Sequence, residues 1–214
     1  FMGSALLIAL GFQGAILAMV IALIIVWLAS LIFLKKELGK AKNKPKFTEI
    51  FSKNRAINFL SAARCFLFGS RDVWFVIALP VYFSEQLQWE HWQVGGFLAL
   101  WIIGYGMVQM ITPAYTGIQS GANKNNTPKK IPNGYSAFLW ACPLMLTPLA
   151  IAFGVNHFEE STYIIIFGLA FFGFLFAINS SLHSFLIVNL ASRDQVSLDV
   201  GFYYMANAMG RLIG

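Results

Sequence analysis

The chain has 214 residues, of which 58% are apolar and 11% charged, and it carries a net charge of +6. A soluble domain carries about 25% charged residues, so water cannot be the solvent for most of this surface; soluble enzymes, nucleic-acid binders and disulfide-rich secreted modules are excluded. The surplus charge is local. Residues 35–55 hold eight basic and two acidic side chains, while the rest of the chain holds seven of each. It marks one loop, read either as an anchor facing anionic lipid headgroups or as a solvated charge run.

Four stretches contain no Asp, Glu, Lys or Arg: 1–34, 91–123, 131–158 and 161–192. Each exceeds the roughly 20 apolar residues that cross a bilayer core, which predicts a polytopic α-helical membrane protein. In chain order, 1–10 reads as the end of one span, closed by a turn at Gly11-Phe12-Gln13-Gly14. A second span runs from Ala15 to Leu34 and meets Lys35-Lys36. The basic stretch follows, broken by Pro45, and from Phe47 an apolar face of Phe47, Ile50, Phe51, Ile57 and Leu60 predicts a helix lying on the membrane. Further spans are predicted over Phe59–Phe83, Val94–Pro113, Tyr135–Gly154 and Tyr163–Val188, with another opening near Val200. The chain opens on an already apolar Phe1 and stops in the apolar run after Met209, which reads as the middle of a longer protein.

Lys and Arg alternate between loops: eight in 35–58, none in 84–93, three in 115–134, none in 155–162 and one in 189–199. Basic loops belong in the cytoplasm, so 35–58, 115–134 and 189–199 are expected there. A long basic loop of this kind joins the two halves of two-bundle transporters. The topology alone equally suits a channel or a membrane-embedded enzyme.

Charges inside the hydrocarbon carry the functional signal, because each costs a few kcal/mol to insert. Arg71 lies about 18 Å into a span that crosses roughly 30 Å, near the midplane. Arg64 is seven residues earlier, on nearly the same face. Arg211 is about eleven residues into the last span. Guanidinium forks match carboxylate and phosphate-like oxyanions, so these residues read as an anion-binding cavity. Alternatively, Asp72 holds Arg71 or Arg211 in a pair that locks helices, and Arg64 snorkels to the headgroups. Asp72 either balances the cationic site or carries a coupling proton. Asn179 and His183, four apart on one helical face, read as auxiliary donors to an anion or a water path, or as interhelical hydrogen bonds like those of Ser180, Ser181 and Ser184. Gly95, Gly96, Gly104, Gly106, Gly168 and Gly173 read as packing and hinge positions.

No G-x-S-x-G elbow supports a Ser–His hydrolase, and no G-x-x-x-x-G-K-[ST] loop binds a nucleotide. Cys65 and Cys142 lie in different apolar segments and make neither a disulfide framework nor a metal spacing. No catalytic residues, metal or cofactor are expected.

Several stretches look familiar. LGKAKNKPKFTEIFSKNRAINFLSAARCFLFGSRDVWFVIALPVYF (38–83), WQVGGFLALWIIGYGMVQ (92–109), NSSLHSFLIV (179–188) and VSLDVGFYYMANAMGRLIG (196–214) resemble a branch of the major facilitator superfamily, the organoarsenical efflux permeases of bacterial arsenic-resistance operons. The Asn- and Lys-rich stretch 114–134 departs from the superfamily's basic loop motif. The resemblance implies an all-α helical bundle running from the end of the fifth span into the eleventh. Residues 1–34 would close the N-terminal half, 35–58 form the cytoplasmic linker with its amphipathic helix, and 59–214 make up most of the C-terminal half. It further implies a bacterial inner-membrane permease that exports 1-arseno-3-phosphoglycerate, made from arsenate by glyceraldehyde-3-phosphate dehydrogenase, and so confers arsenate resistance. Such a multiply anionic ligand suits Arg71 and Arg211, with Arg64, His183 and Asn179 contributing and Asp72 balancing charge; trivalent arsenic would instead call for thiolates. The competing functions are a facilitator for another organic anion or a drug, a membrane enzyme, and a non-transporting scaffold.

Overall fold

The structure, a computed structural model, describes residues 2–34, 52, 54–116, 132–159, 161–191 and 196–214. Every described element is a helix: α1 (Met2–Phe33), α2 (Arg55–Phe75), α3 (Ala78–Glu85), α4 (His91–Thr116), α5 (Gly134–His157), α6 (Ser161–Leu190) and α7 (Val196–Ile213). Five stretches are long and apolar enough to cross a membrane: Gly3–Phe33, Arg55–Glu85, His91–Ala114, Gly134–His157 and Ser161–Leu190. With Asp199 and Arg211 among its 18 residues, α7 is not one of them, although it stands where a further span was expected.

Local chemistry explains where the boundaries differ from the sequence reading. Residues 1–14 were expected to end in a four-residue turn. Instead, only Gly11 leaves helical geometry, at φ 67° and ψ 178°, and the helix resumes beyond it. A positive φ is cheap only for glycine, and an apolar stretch keeps its backbone polar groups paired by returning to helix at once. Helix α2 starts four residues before the expected Phe59, because the Asn54 side chain accepts from Ala56 N at 3.0 Å and caps it. Ile57 and Leu60, assigned to a surface helix, therefore lie on the buried face of α2. The remainder of that expected helix, including Phe47, Ile50 and Phe51, falls outside the described residues. The expected continuous span 59–83 is divided between α2 and α3. Pro80 accounts for the break: it has no N–H for the carbonyl of Val76, and its ring collides with that carbonyl.

Helix α6 is the centre of the bundle. From Leu175 to Ser180 every residue is buried, as expected of a helix covered on all sides. It packs against α5, α4, α2 and α7, while α2 and α7 pack on each other and, among the described elements, α1 touches only α4. The glycines divide accordingly. A side chain at Gly168 would strike Ile151, and one at Gly173 would meet the Trp101 ring, so both are packing positions as expected. Gly96, Gly104 and Gly106 face open space. The closest approach joins α2 to α7: a Cβ on Gly210 would overlap the Cys65 carbonyl, and one on Gly214 the Gly69 carbonyl. Only glycine permits two backbones to meet this way.

The proline within α4 is tolerated because a neighbouring helix takes up the freed carbonyl. Pro113 in α4 leaves the Gln109 carbonyl without a helical donor, and the Ser181 hydroxyl donates to it at 3.3 Å. An aromatic column fills the bundle between α4 and α6, with Trp101 Nε1 donating to the Leu169 carbonyl at 2.7 Å.

Candidate functional site

Along α2, Arg64, Phe68, Arg71, Asp72 and Phe75 recur at helical spacing, and four of the five are buried; Arg71 is partly so. This stripe faces α6 and α7, which supply its partners. The two arginines solve the cost of a charge in an apolar bundle differently.

At Arg71 the solution is a carboxylate. Its Nε donates to Asp72 Oδ1 at 2.6 Å, and a terminal nitrogen approaches the same oxygen at 2.5 Å. Arg211, arriving from α7, donates its Nε to Asp72 Oδ2 at 2.8 Å. One carboxylate, with its side chain 5% exposed, therefore orients two guanidiniums and ties two helices 139 residues apart in sequence. The helix-locking pair thus engages Arg71 and Arg211 together. Two cations share one anion, so the trio keeps a net charge of +1. Arg211 remains 54% exposed and Arg71 13%.

At Arg64 no carboxylate pairs with the guanidinium among the described residues. A terminal nitrogen donates to Ser180 Oγ at 2.9 Å and to its carbonyl at 3.4 Å, and Gln109 Nε2 donates to the same hydroxyl at 3.2 Å. The Nε has no partner. Two rings complete the cradle: the guanidinium carbon lies 4.1 Å from the centre of Phe68 and 5.3 Å from that of Tyr203. Arg64 is thus buried and held by neutral groups, not extended toward a membrane surface. Together the charges of Arg64, Arg71, Asp72 and Arg211 sum to +2.

A cavity of about 750 Å³ opens between α2, α5, α6 and α7. Arg71, Asn179 and His183 line it, among walls otherwise dominated by apolar groups such as Met145, Pro148 and Phe172; Arg64, Asp72 and Arg211 do not line it. The structure therefore brings three of the six expected residues to one cavity and joins the others to Arg71: Asp72 directly, Arg211 through Asp72, and Arg64 through the Phe68 ring it shares with Arg71. Asn179 Nδ2 donates to the Ala137 carbonyl at 3.1 Å. A carbonyl only accepts, so the amide's unpartnered atom is the acceptor Oδ1, and one of the two Nδ2 hydrogens is already committed to α5. His183 Nδ1 is buried without a partner.

Phe68, Gln109, Tyr203 and the glycines of the α2–α7 crossing carry no charge, and of these only the glycines have a motif that marks them in the sequence. The Gly210-x-x-x-Gly214 spacing was a usable signal for that crossing. Nothing distinguishes Phe68 in the sequence from the other phenylalanines except its place one turn beyond Arg64.

Compared with known proteins, residues 1–214 match the family model described as Major Facilitator Superfamily. No curated protein matches the chain, and no solved structure does.

Proposed function

The chain belongs to the Major Facilitator Superfamily, and on that premise we propose that it exports a phosphate-like organic anion, namely the organoarsenical 1-arseno-3-phosphoglycerate. Membership makes it a multi-pass membrane protein and a secondary transporter of a small molecule. The observation that carries the anion assignment is the surplus of positive charge: of three arginines only Arg71 and Arg211 share the Asp72 carboxylate, Arg64 is held by neutral groups, and Arg71 opens onto a cavity. Charges in a bilayer persist where they serve a substrate or pair with each other, and here pairing consumes only one of three.

In this reading Arg71 receives the oxyanion from the cavity and Arg211 approaches from α7. Arg64 raises the local potential from behind Phe68, Asp72 holds the two forks in register, and Asn179 and His183 shape the wall. Alternating access follows from the rocking of two helical halves about a midplane site. The cell would be a bacterium, the membrane its inner one, and glyceraldehyde-3-phosphate dehydrogenase the source of substrate, without direct contact. Arsenic accumulation under arsenate tests this in a sensitive host carrying the full-length gene. Lower accumulation only when the dehydrogenase is present is the expected result; unchanged accumulation with the protein in the membrane overturns the substrate.

A second reading has one observation in its favour. Apart from Ser70, Arg71, Asn179 and His183, the cavity walls are largely hydrocarbon and aromatic, which suits an organic anion or drug with an apolar body. Competition separates the two: phosphorylated three-carbon acids compete under the first reading, and amphipathic anions under the second.

A further inference from the structure

We infer that Phe68 is a positioning residue for anion recognition: its ring holds Arg64 and Arg71 without cancelling their charge. The inference rests on the anion reading above and names a residue that reading does not use. The guanidinium carbon of Arg64 lies 4.1 Å from the centre of the Phe68 ring and that of Arg71 lies 4.8 Å from it. Arg64 is one turn before Phe68 and Arg71 nearly one turn after it. Both cations therefore share one ring, and their carbon atoms are at most about 9 Å apart, the sum of those two distances.

Two like charges so close repel strongly in an apolar bundle. A carboxylate for each would relieve that, but it would also erase the potential that attracts an anion. An aromatic face attracts a cation through its quadrupole and carries no net charge. The ring thus lowers the cost of the arginines while leaving their field intact. Its orientation is fixed in turn by Phe176 of α6, edge-to-face at 5.1 Å and 67° between planes. Phe176 itself lies 5.1 Å from the Arg71 guanidinium carbon, so the aromatic support joins α2 to α6, two of the four helices that line the cavity.

The test replaces Phe68 with mono-, di- and trifluorinated phenylalanine, which drains the ring's negative face at nearly constant shape. Binding of 3-phosphoglycerate is measured on the full-length protein in proteoliposomes, with melting temperature read alongside. Cation–π contacts are worth roughly 2- to 30-fold in an equilibrium constant, so affinity is expected to fall stepwise with fluorination, to about tenfold for the trifluorinated ring. Phe68→Leu, which keeps bulk and loses the quadrupole, is expected to match that final loss and covers the case in which a fluorinated chain fails to accumulate. The same series at Phe171, exposed on α6, is expected to be flat. A flat series at Phe68, with Arg71→Ala still abolishing binding, overturns the positioning role and leaves the anion reading standing. If neither Phe68 nor Arg71 affects 3-phosphoglycerate binding, both fall.

Discussion

Arg64 and Arg71 sit on one helix, two turns apart, and share the Phe68 ring, but their polar partners differ. Arg71 has a carboxylate neighbour that it shares with Arg211; Arg64 has a serine, a carbonyl and two rings. The difference shows that the cost of burying a guanidinium does not fix the charge left over. A carboxylate pairs and neutralises, whereas a hydroxyl and an aromatic face only stabilise. Stability and electrostatic potential are therefore set separately at the two ends of the stripe, and substitutions at each end have different consequences.

The largest effect is expected at the cavity end. Arg71→Ala should abolish export while leaving the protein in the membrane, measured as vesicle uptake against membrane abundance; Arg71→Lys should restore little of it, because a point charge lacks the fork. Asp72→Ala strands two cations and should cost about 3 kcal/mol of stability, read from thermal unfolding in detergent. The double variant Arg71→Met with Asp72→Ala should recover part of that loss, and equal losses would break the comparison. Arg64→Met removes a charge that no carboxylate among the described residues balances, so its melting temperature should be unchanged or higher while anion affinity falls. The smallest effect is Ser180→Ala, which removes a hydroxyl shared by Arg64 and Gln109 and should cost about 1 kcal/mol. A larger loss there would mean that Arg64 depends on that hydroxyl more than on its rings.

Much of the architecture was legible because the bilayer imposes it. Long charge-free stretches can only be apolar helices, and α4, α5 and α6 enclose the expected spans with a few residues added at each end. What the sequence obscured were local backbone events: Asn54 capping α2 early, Pro80 dividing a span, and Gly11 absorbing a break in one residue. At the site, Asp72 was visible as a partner for Arg71 or Arg211, because acidic and basic residues in apolar surroundings have few other options. That it serves both depends on where α7 crosses α2, which periodicity does not encode. The same holds for the cavity: α6 displays Asn179 and His183 on one face at any rotation, but only packing decides that Arg71 joins them and Arg211 does not. Phe68 was invisible for a different reason, since a phenylalanine in an apolar helix looks the same whether it fills space or faces a cation.

The glycine crossing of α2 and α7 has a mechanical consequence. Helices that interlock through side chains must lift ridges over grooves to change their angle, but at Gly210 and Gly214 the contact is backbone on backbone. Such a contact acts as a fulcrum. Points close to a fulcrum hardly travel when the arms swing, and Arg211 adjoins Gly210 while Asp72 lies one turn beyond Gly69. A tilt of α7 would sweep its distant end through the largest arc and leave the Asp72–Arg211 bond almost where it stands. In such a swing the ion pair would serve as the pin of the lever and not as its latch.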